Sequence, residues 1–241
     1  METQPLALVT GAAHRLGKAF VLALARNGYA ILLHYRTSDV QAQNTATQIR
    51  TLGVPVFLSQ ADLSQPSQIS ALFSMVDRIP HPLKVLVNSA AIIPSGDART
   101  VSVSDWDAVL NLNLRAPFLC AQEAAKRMKD GGLIVNVTDV GAKKSWSHFP
   151  SYSVSKAGLE ALTKILARTL APSIRVNAIA PGLVLQSDLI SKEEWDRLVE
   201  RLPLKRPASV DEIALALDFL LKNEYVTGQT LVIDGGYSLL G

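Results

Sequence analysis

The chain has 241 residues, 48% of them apolar and 19% charged, with 24 Lys and Arg against 21 Asp and Glu for a net charge of +3. That composition supports a full hydrophobic core and excludes disorder, and the small, unclustered positive excess suits an anionic small molecule but not nucleic acid. The opening METQPLALVTG has no basic segment ahead of its apolar run, and that run is too short to span a bilayer, so a cytoplasmic protein without membrane contact is expected.

Short Val/Ile/Leu-rich runs alternate with helical spacing along the whole chain. LALV (6–9) reads as the first strand, followed by the glycine turn TGAAHRLG (10–17) and a helix over 18–28. Next come AILLHY (30–35), a helix over 39–53, VPVFLSQ (54–60), a helix over 67–79 and KVLVNSA (84–90). A long helix is expected over 105–132, then LIVNVT (133–138), a helix over 153–172, IRVNAIAP (174–181), a helix over 210–224 and TLVIDG (230–235). The strands are apolar on both faces, as in a parallel sheet covered by helices. The expected architecture is therefore α/β: one doubly wound, seven-stranded parallel sheet over 1–241, with right-handed crossovers. Only 183–209 is polar and irregular, which suits a lid over a pocket. The single cysteine, Cys120, lies in an apolar Ala-rich stretch and is expected to be buried and inert.

TGAAHRLG follows the first strand and opens the first helix, the context in which a glycine turn cradles a pyrophosphate. Gly11 permits the sharp turn, Gly17 lets helix and sheet approach, and the helix N-terminus offers free N–H groups. The second strand ends in HYRTS. Tyr35 occupies the region where an acid grips the ribose hydroxyls of NAD, and Arg36 and Ser38 follow it, with His14 and Arg15 in the glycine turn. A cationic, donor-rich pocket favours the 2′-phosphate of NADP. Asp39 is expected to cap the next helix. Asp62 reads equally as an acceptor for an adenine amino group or as a helix cap, and Asn88 as a strand-end anchor beside the ribose or a turn residue.

Tyr152 and Lys156 stand four residues apart on one helical face, where an ammonium stabilises a phenolate and makes a tyrosine a workable acid–base. With TGAAHRLG, NSAA (88–91), NLRAPF (113–118), APG (180–182) and VTGQTLVIDGG (226–236), the chain resembles the short-chain dehydrogenase/reductase family over essentially its full length. The resemblance implies a Rossmann-type sheet, hydride transfer with NADPH/NADP+, and a homo-oligomer, tetramer or dimer. It makes Tyr152 the proton donor and gives Lys156 the nicotinamide ribose and the task of lowering the tyrosine pKa. It assigns Asn113 to a proton-relay water, adds Leu16, Leu63, Pro181 and Gly182 to the cofactor contacts, and assigns no metal.

Where the family usually has a serine, thirteen residues before the tyrosine, this chain has Asp139. An Asp there, Arg15 in the glycine turn and the ending DGGYSL resemble the pteridine reductase and dihydromonapterin reductase branch. That resemblance implies that Asp139 and Tyr152 deliver the proton together and that Arg15 touches both cofactor and substrate, with Ile93 and Leu183 lining the substrate side. The branch carries an aromatic ring at position 93, and Ile93 lacks it; Trp146, Phe149 and Trp195 are the rings that could replace it. Two other readings stand beside this one. A 3-oxoacyl-acyl-carrier-protein reductase would dock on Lys126, Arg127 and Lys129, and a cofactor-binding protein without catalysis would need neither Tyr152 nor Lys156.

Overall fold

In the computed structural model, which describes residues 4–187 and 190–240, seven parallel strands run in the order β3-β2-β1-β4-β5-β6-β7. The strands are β1 (Leu6–Thr10), β2 (Ala30–Tyr35), β3 (Val56–Gln60), β4 (Leu83–Asn88), β5 (Gly132–Val137), β6 (Ile174–Pro181) and β7 (Thr230–Ile233). Alternation along β1 divides the core: Leu6 and Leu8 face one apolar cluster with Leu72, Phe73 and Ala121, while Ala7 and Val9 face another with Phe20, Leu24 and Leu217. Helices α3 (Pro66–Val76), α5 (Ala116–Ala125) and α7 (Pro150–Leu170) cover the first face; α1 (Arg15–Arg26), α2 (Asp39–Thr51) and α9 (Val210–Lys222) cover the second.

The strand order reverses beside β1, which pairs with both β2 and β4. A crevice at the carboxyl ends of the strands is therefore available there for a ligand.

The expected helix over 105–132 is broken and shorter. It consists of α4 (Val103–Leu110), a π-helical turn (Asn111–Arg115) and α5. Pro117 supplies no N–H to the carbonyl of Asn113, so regular α-helical bonding fails at that point. It ends at Ala125, with Lys126 as its C-cap, and turns carry the chain to Gly131, at φ +82°, just before β5. Two helices join the expected set, α6 (Gly141–Lys144) and α8 (Lys192–Arg201). The latter lies inside the stretch read as an irregular insertion, of which Asp188 and Leu189 fall outside the described residues.

Candidate active site

At the glycine turn, side chains are excluded by backbone proximity. A Cβ on Gly17 would lie 2.1 Å from the Gly11 carbonyl oxygen, and one on Gly11, itself at φ +64°, would lie 2.8 Å from the Ala90 Cα. Arg15 adopts a left-handed φ of +52° at the start of α1, a conformation that surrounding packing must hold in a non-glycine residue. Two side chains clamp the turn. Thr10 Oγ1 accepts the amides of Ser89 and Ala90 at 3.0 and 3.1 Å, joining β1 to the end of β4. His34, buried at the end of β2, accepts the Gly11 amide on Nδ1 at 3.1 Å and donates from Nε2 to the Ala61 carbonyl at 3.0 Å. Burial pushes the imidazole down to about 4, so it stays neutral. Neither clamp is recognisable in the sequence, where Thr10 reads only as the first residue of the glycine turn and His34 as a strand position.

Gly11, His14, Leu16, Gly17, Tyr35, Arg36, Ser38 and Leu63 line one cavity with Arg15. The neighbouring polar residues behave differently from expectation. Ser38, not Asp39, occupies the N-cap position of α2; Asp39 is the first helical residue and accepts the Tyr35 hydroxyl proton at 2.8 Å. Asp62 closes a turn by accepting the Ser64 amide at 2.9 Å; the Ser64 hydroxyl foremost, and this amide, hold its carboxyl below the usual range, and it does not line the cavity. Asn88 also lies away from the cavity. Its amide donates to Asn136 at 2.9 Å, whose own amide donates to Thr163 at 2.9 Å, a buried polar ladder from β4 through β5 to α7.

The chemical end of the cavity contains Asp139, Tyr152 and Lys156. The Tyr152 hydroxyl donates to Asp139 Oδ2 at 2.9 Å, while Asp139 Oδ1 accepts the Gly141 amide at 2.7 Å. Burial raises the Asp139 carboxyl above its ordinary value. Lys156 Nζ donates to the Val137 carbonyl at 2.7 Å and sits 5.6 Å from the Tyr152 ring centroid. Burial lowers Lys156 to about 8, an effect that Asp139 opposes. The expected lowering of the tyrosine pKa is reversed: burial and the adjacent Asp139 hold the phenol well above its usual range, so it remains protonated. Asn113 belongs to the π-helical turn and lies behind the cavity. Its side chain accepts the Ile92 amide at 3.0 Å and donates to the Ile92 carbonyl at 2.9 Å and to Ser155 Oγ at 3.2 Å. Those bonds pin the chain beyond β4.

Ile93, Pro181, Gly182, Leu183, Trp146, Phe149 and Trp195 complete the wall of this cavity, about 790 Å³ in volume. The Arg15 guanidinium reaches across to the carbonyls of Leu185 at 3.1 Å and Gln186 at 3.4 Å. Tyr237 lines the same wall, a residue the sequence marked only as part of the C-terminal DGGYSL.

A family model described as enoyl-(acyl carrier protein) reductase matches residues 11–238. The chain is 33% identical over 243 residues to the 3-oxoacyl-acyl-carrier-protein reductase FabG of Staphylococcus aureus, covering 98% of this chain and 99% of that protein. The chain is a short-chain dehydrogenase/reductase. FolM alternative dihydrofolate reductase 1 from Brucella suis, solved with NADP, superposes with a TM-score of 0.93 at 33% identity, over 99% of this chain and 96% of that one. A blue fluorescent protein from a metagenomic library, solved with NADPH, gives 0.91 at 31% identity, over 98% of both chains.

The cavity of this short-chain reductase fits a phosphorylated dinucleotide. Its glycine turn lets an anion approach the backbone, and Arg36, Thr37 and Ser38 line the end near β2. The carboxylates lining the cavity among the described residues, Asp139 and Glu194, come from the end of β5 and from α8. The expected basic patch on the reductase is largely neutralised: Arg127 bonds Asp77 and Glu123 at 2.7 Å, and Lys126 pairs with Glu123 at 2.5 Å. Cys120 is buried, and burial raises its thiol to about 12.

Proposed function

We propose that this short-chain reductase uses NADPH to reduce a C=N or C=O bond of a pteridine-like substrate in the cytoplasm. The single observation that carries the reading is the 2.9 Å bond between Tyr152 and Asp139. A phenol kept protonated beside a carboxyl whose own pKa is raised is suited to a substrate that takes up a proton on a ring nitrogen. Bound NADPH supplies the hydride. Tyr152 gives its hydroxyl proton to the nitrogen or oxygen of the reduced bond, and Asp139, fixed by the Gly141 amide, orients that hydroxyl. Lys156 keeps a positive charge beside the pair, oriented by the Val137 carbonyl. Asn113 supports the site through Ile92 instead of touching the substrate. Arg36 and Ser38 are assigned to the 2′-phosphate and Arg15 to the boundary between cofactor and substrate.

The name of the Brucella suis relative, an alternative dihydrofolate reductase, supports a pteridine ring in the substrate. NADPH oxidation with dihydrobiopterin, dihydromonapterin and acetoacetyl thioesters tests it. Turnover of a dihydropterin, lost in Asp139→Ala and Tyr152→Phe, is expected; turnover of thioesters alone refutes the reading. Reduction of a 3-oxoacyl thioester is the second reading, favoured by the 33% identity to the Staphylococcus aureus reductase.

Two further features belong to this proposal. Residues 183–209, which include α8 and place Glu194, Trp195 and Leu198 on the cavity, act as a substrate lid. Substrate-dependent protection from protease within this stretch is expected, and unchanged cleavage argues against it. The protein also self-associates through α5 and α7, where Phe118, Val154 and Ile165 are 38, 49 and 60% exposed. Sedimentation is expected to show a dimer or tetramer that Ile165→Glu dissociates; a wild-type monomer refutes it.

A further inference from the structure

We propose that Trp146 is the specificity-determining wall of the substrate pocket: a fixed aromatic face that replaces the ring missing at Ile93 and selects a flat, conjugated substrate. This rests on the reductase reading above and names the residue that recognises the shape of the substrate. Trp146 lines the cavity with Asp139 and Tyr152. Its ring lies parallel to that of Tyr152 within 6°, with centroids 6.4 Å apart. Phe149 meets it edge-on at 6.1 Å and 67°, and Tyr237 leans on it at 6.4 Å and 50°. Aromatic pairs at these separations are attractive and directional, so three neighbours oppose rotation of the indole.

The backbone holds the ring as well. Behind it, a Cβ on Gly141 would lie 2.8 Å from the indole Cε3 and Cζ3, so the glycine opens the space in which Trp146 sits. Ser145, at a left-handed φ of +49°, turns the chain after α6 so that the indole folds back over Gly141, and the Trp146 carbonyl accepts the Phe149 amide at 3.0 Å. Tyr237 is secured in turn by Lys144, whose Nζ donates to the carbonyls of Tyr237 and Leu240 and sits 4.9 Å from the Tyr237 ring centroid. A wall immobilised before the ligand arrives loses little conformational freedom on binding, so its contact area is realised as affinity for a flat face. An aliphatic thioester offers no such face.

The test compares wild type with Trp146→Leu and Trp146→Phe on a dihydropteridine and on a matched pair of ketones, one aryl and one alkyl. Wild type should prefer the aryl ketone. Trp146→Leu should raise KM for the dihydropteridine and the aryl ketone about five- to tenfold, leaving kcat and the alkyl ketone within about twofold, and Trp146→Phe should restore most of the loss. Equal losses on aryl and alkyl ketones, or no loss on either, overturn the proposal. If Trp146→Leu does not fold, Trp146→Phe and Trp146→Met carry the same contrast, and an aryl preference retained in both also overturns it. Wild type that ignores dihydropteridines yet shows the Trp146-dependent aryl preference refutes the pteridine reading alone.

Discussion

His34 holds Gly11 in place: its imidazole accepts the glycine amide at 3.1 Å and donates its own proton to the Ala61 carbonyl, so one buried ring on β2 connects the loops after β1 and β3. The cofactor turn therefore depends on a side chain that belongs to a different βα unit.

His34→Leu fills similar space but leaves the Gly11 N–H and the Ala61 carbonyl without this partner. A loss of about 2 kcal/mol in chemical denaturation is expected, with weaker NADPH binding. The same residue links stability to pH. Its pKa falls from 6.5 to about 4 on folding, so its contribution is complete above pH 6.5 and is lost as pH drops toward 4, at about 1.4 kcal/mol per unit at most. Equilibrium unfolding between pH 7 and 4 should show this slope in wild type and lose it in His34→Leu.

The reaction should have an alkaline limit near pH 8, where Lys156 loses its proton. Lys156→Arg keeps a cation there and should move the limit in kcat/KM upward. Because Asp139 raises the lysine pKa, Asp139→Asn should move the limit downward as well as slow the reaction. A profile that is flat across pH 7 to 10 would contradict this assignment of charge.

Gly17→Ala should be poorly tolerated, because its Cβ would lie 2.1 Å from the Gly11 carbonyl oxygen, a backbone atom in the tight turn. Thermal and chemical unfolding should register a loss of about 1–3 kcal/mol or more, with weaker NADPH binding. Gly53→Ala is the control: its Cβ would meet nothing within 4 Å, so only the strain of φ +77° applies.

Arg36→Ala should reduce the preference for NADPH over NADH by about tenfold or more, the usual effect of removing a hydrogen-bonded charge from a phosphate. Binding titrations with both dinucleotides measure it directly. Equal weakening of both would place the arginine elsewhere than at the 2′-phosphate.

Elements buried on both faces were legible in the sequence. The strands at 30–35 and 174–181 have the expected bounds, because mostly apolar runs buried on both faces suit the interior of a parallel sheet. Proximity of Tyr152 to Lys156 was legible from helical spacing, and Asp139 only through the resemblance, as the residue at the place of the family's usual serine. Features made by contacts between distant segments were not. The break at Asn113 accompanies bonds to Ile92, the Asn88 ladder needs Asn136 and Thr163, and the raised tyrosine pKa needs the burial that only the assembled fold provides. The left-handed Ser145 that ends α6 left no mark, since serine ordinarily avoids that conformation.

Asp139, Trp146 and the Tyr152 hydroxyl all come from one contiguous stretch, residues 139–152, whereas the glycine turn and HYRTS, which line the other end of the cavity, lie within residues 10–38. On the reading proposed above, proton delivery and ring recognition draw on one stretch of the chain and the choice of dinucleotide on another. Grafting 139–152 between relatives with the same β5 and α7 frame is therefore expected to carry the Asp139–Tyr152 pair and Trp146 as a unit, while the choice of dinucleotide stays with the recipient.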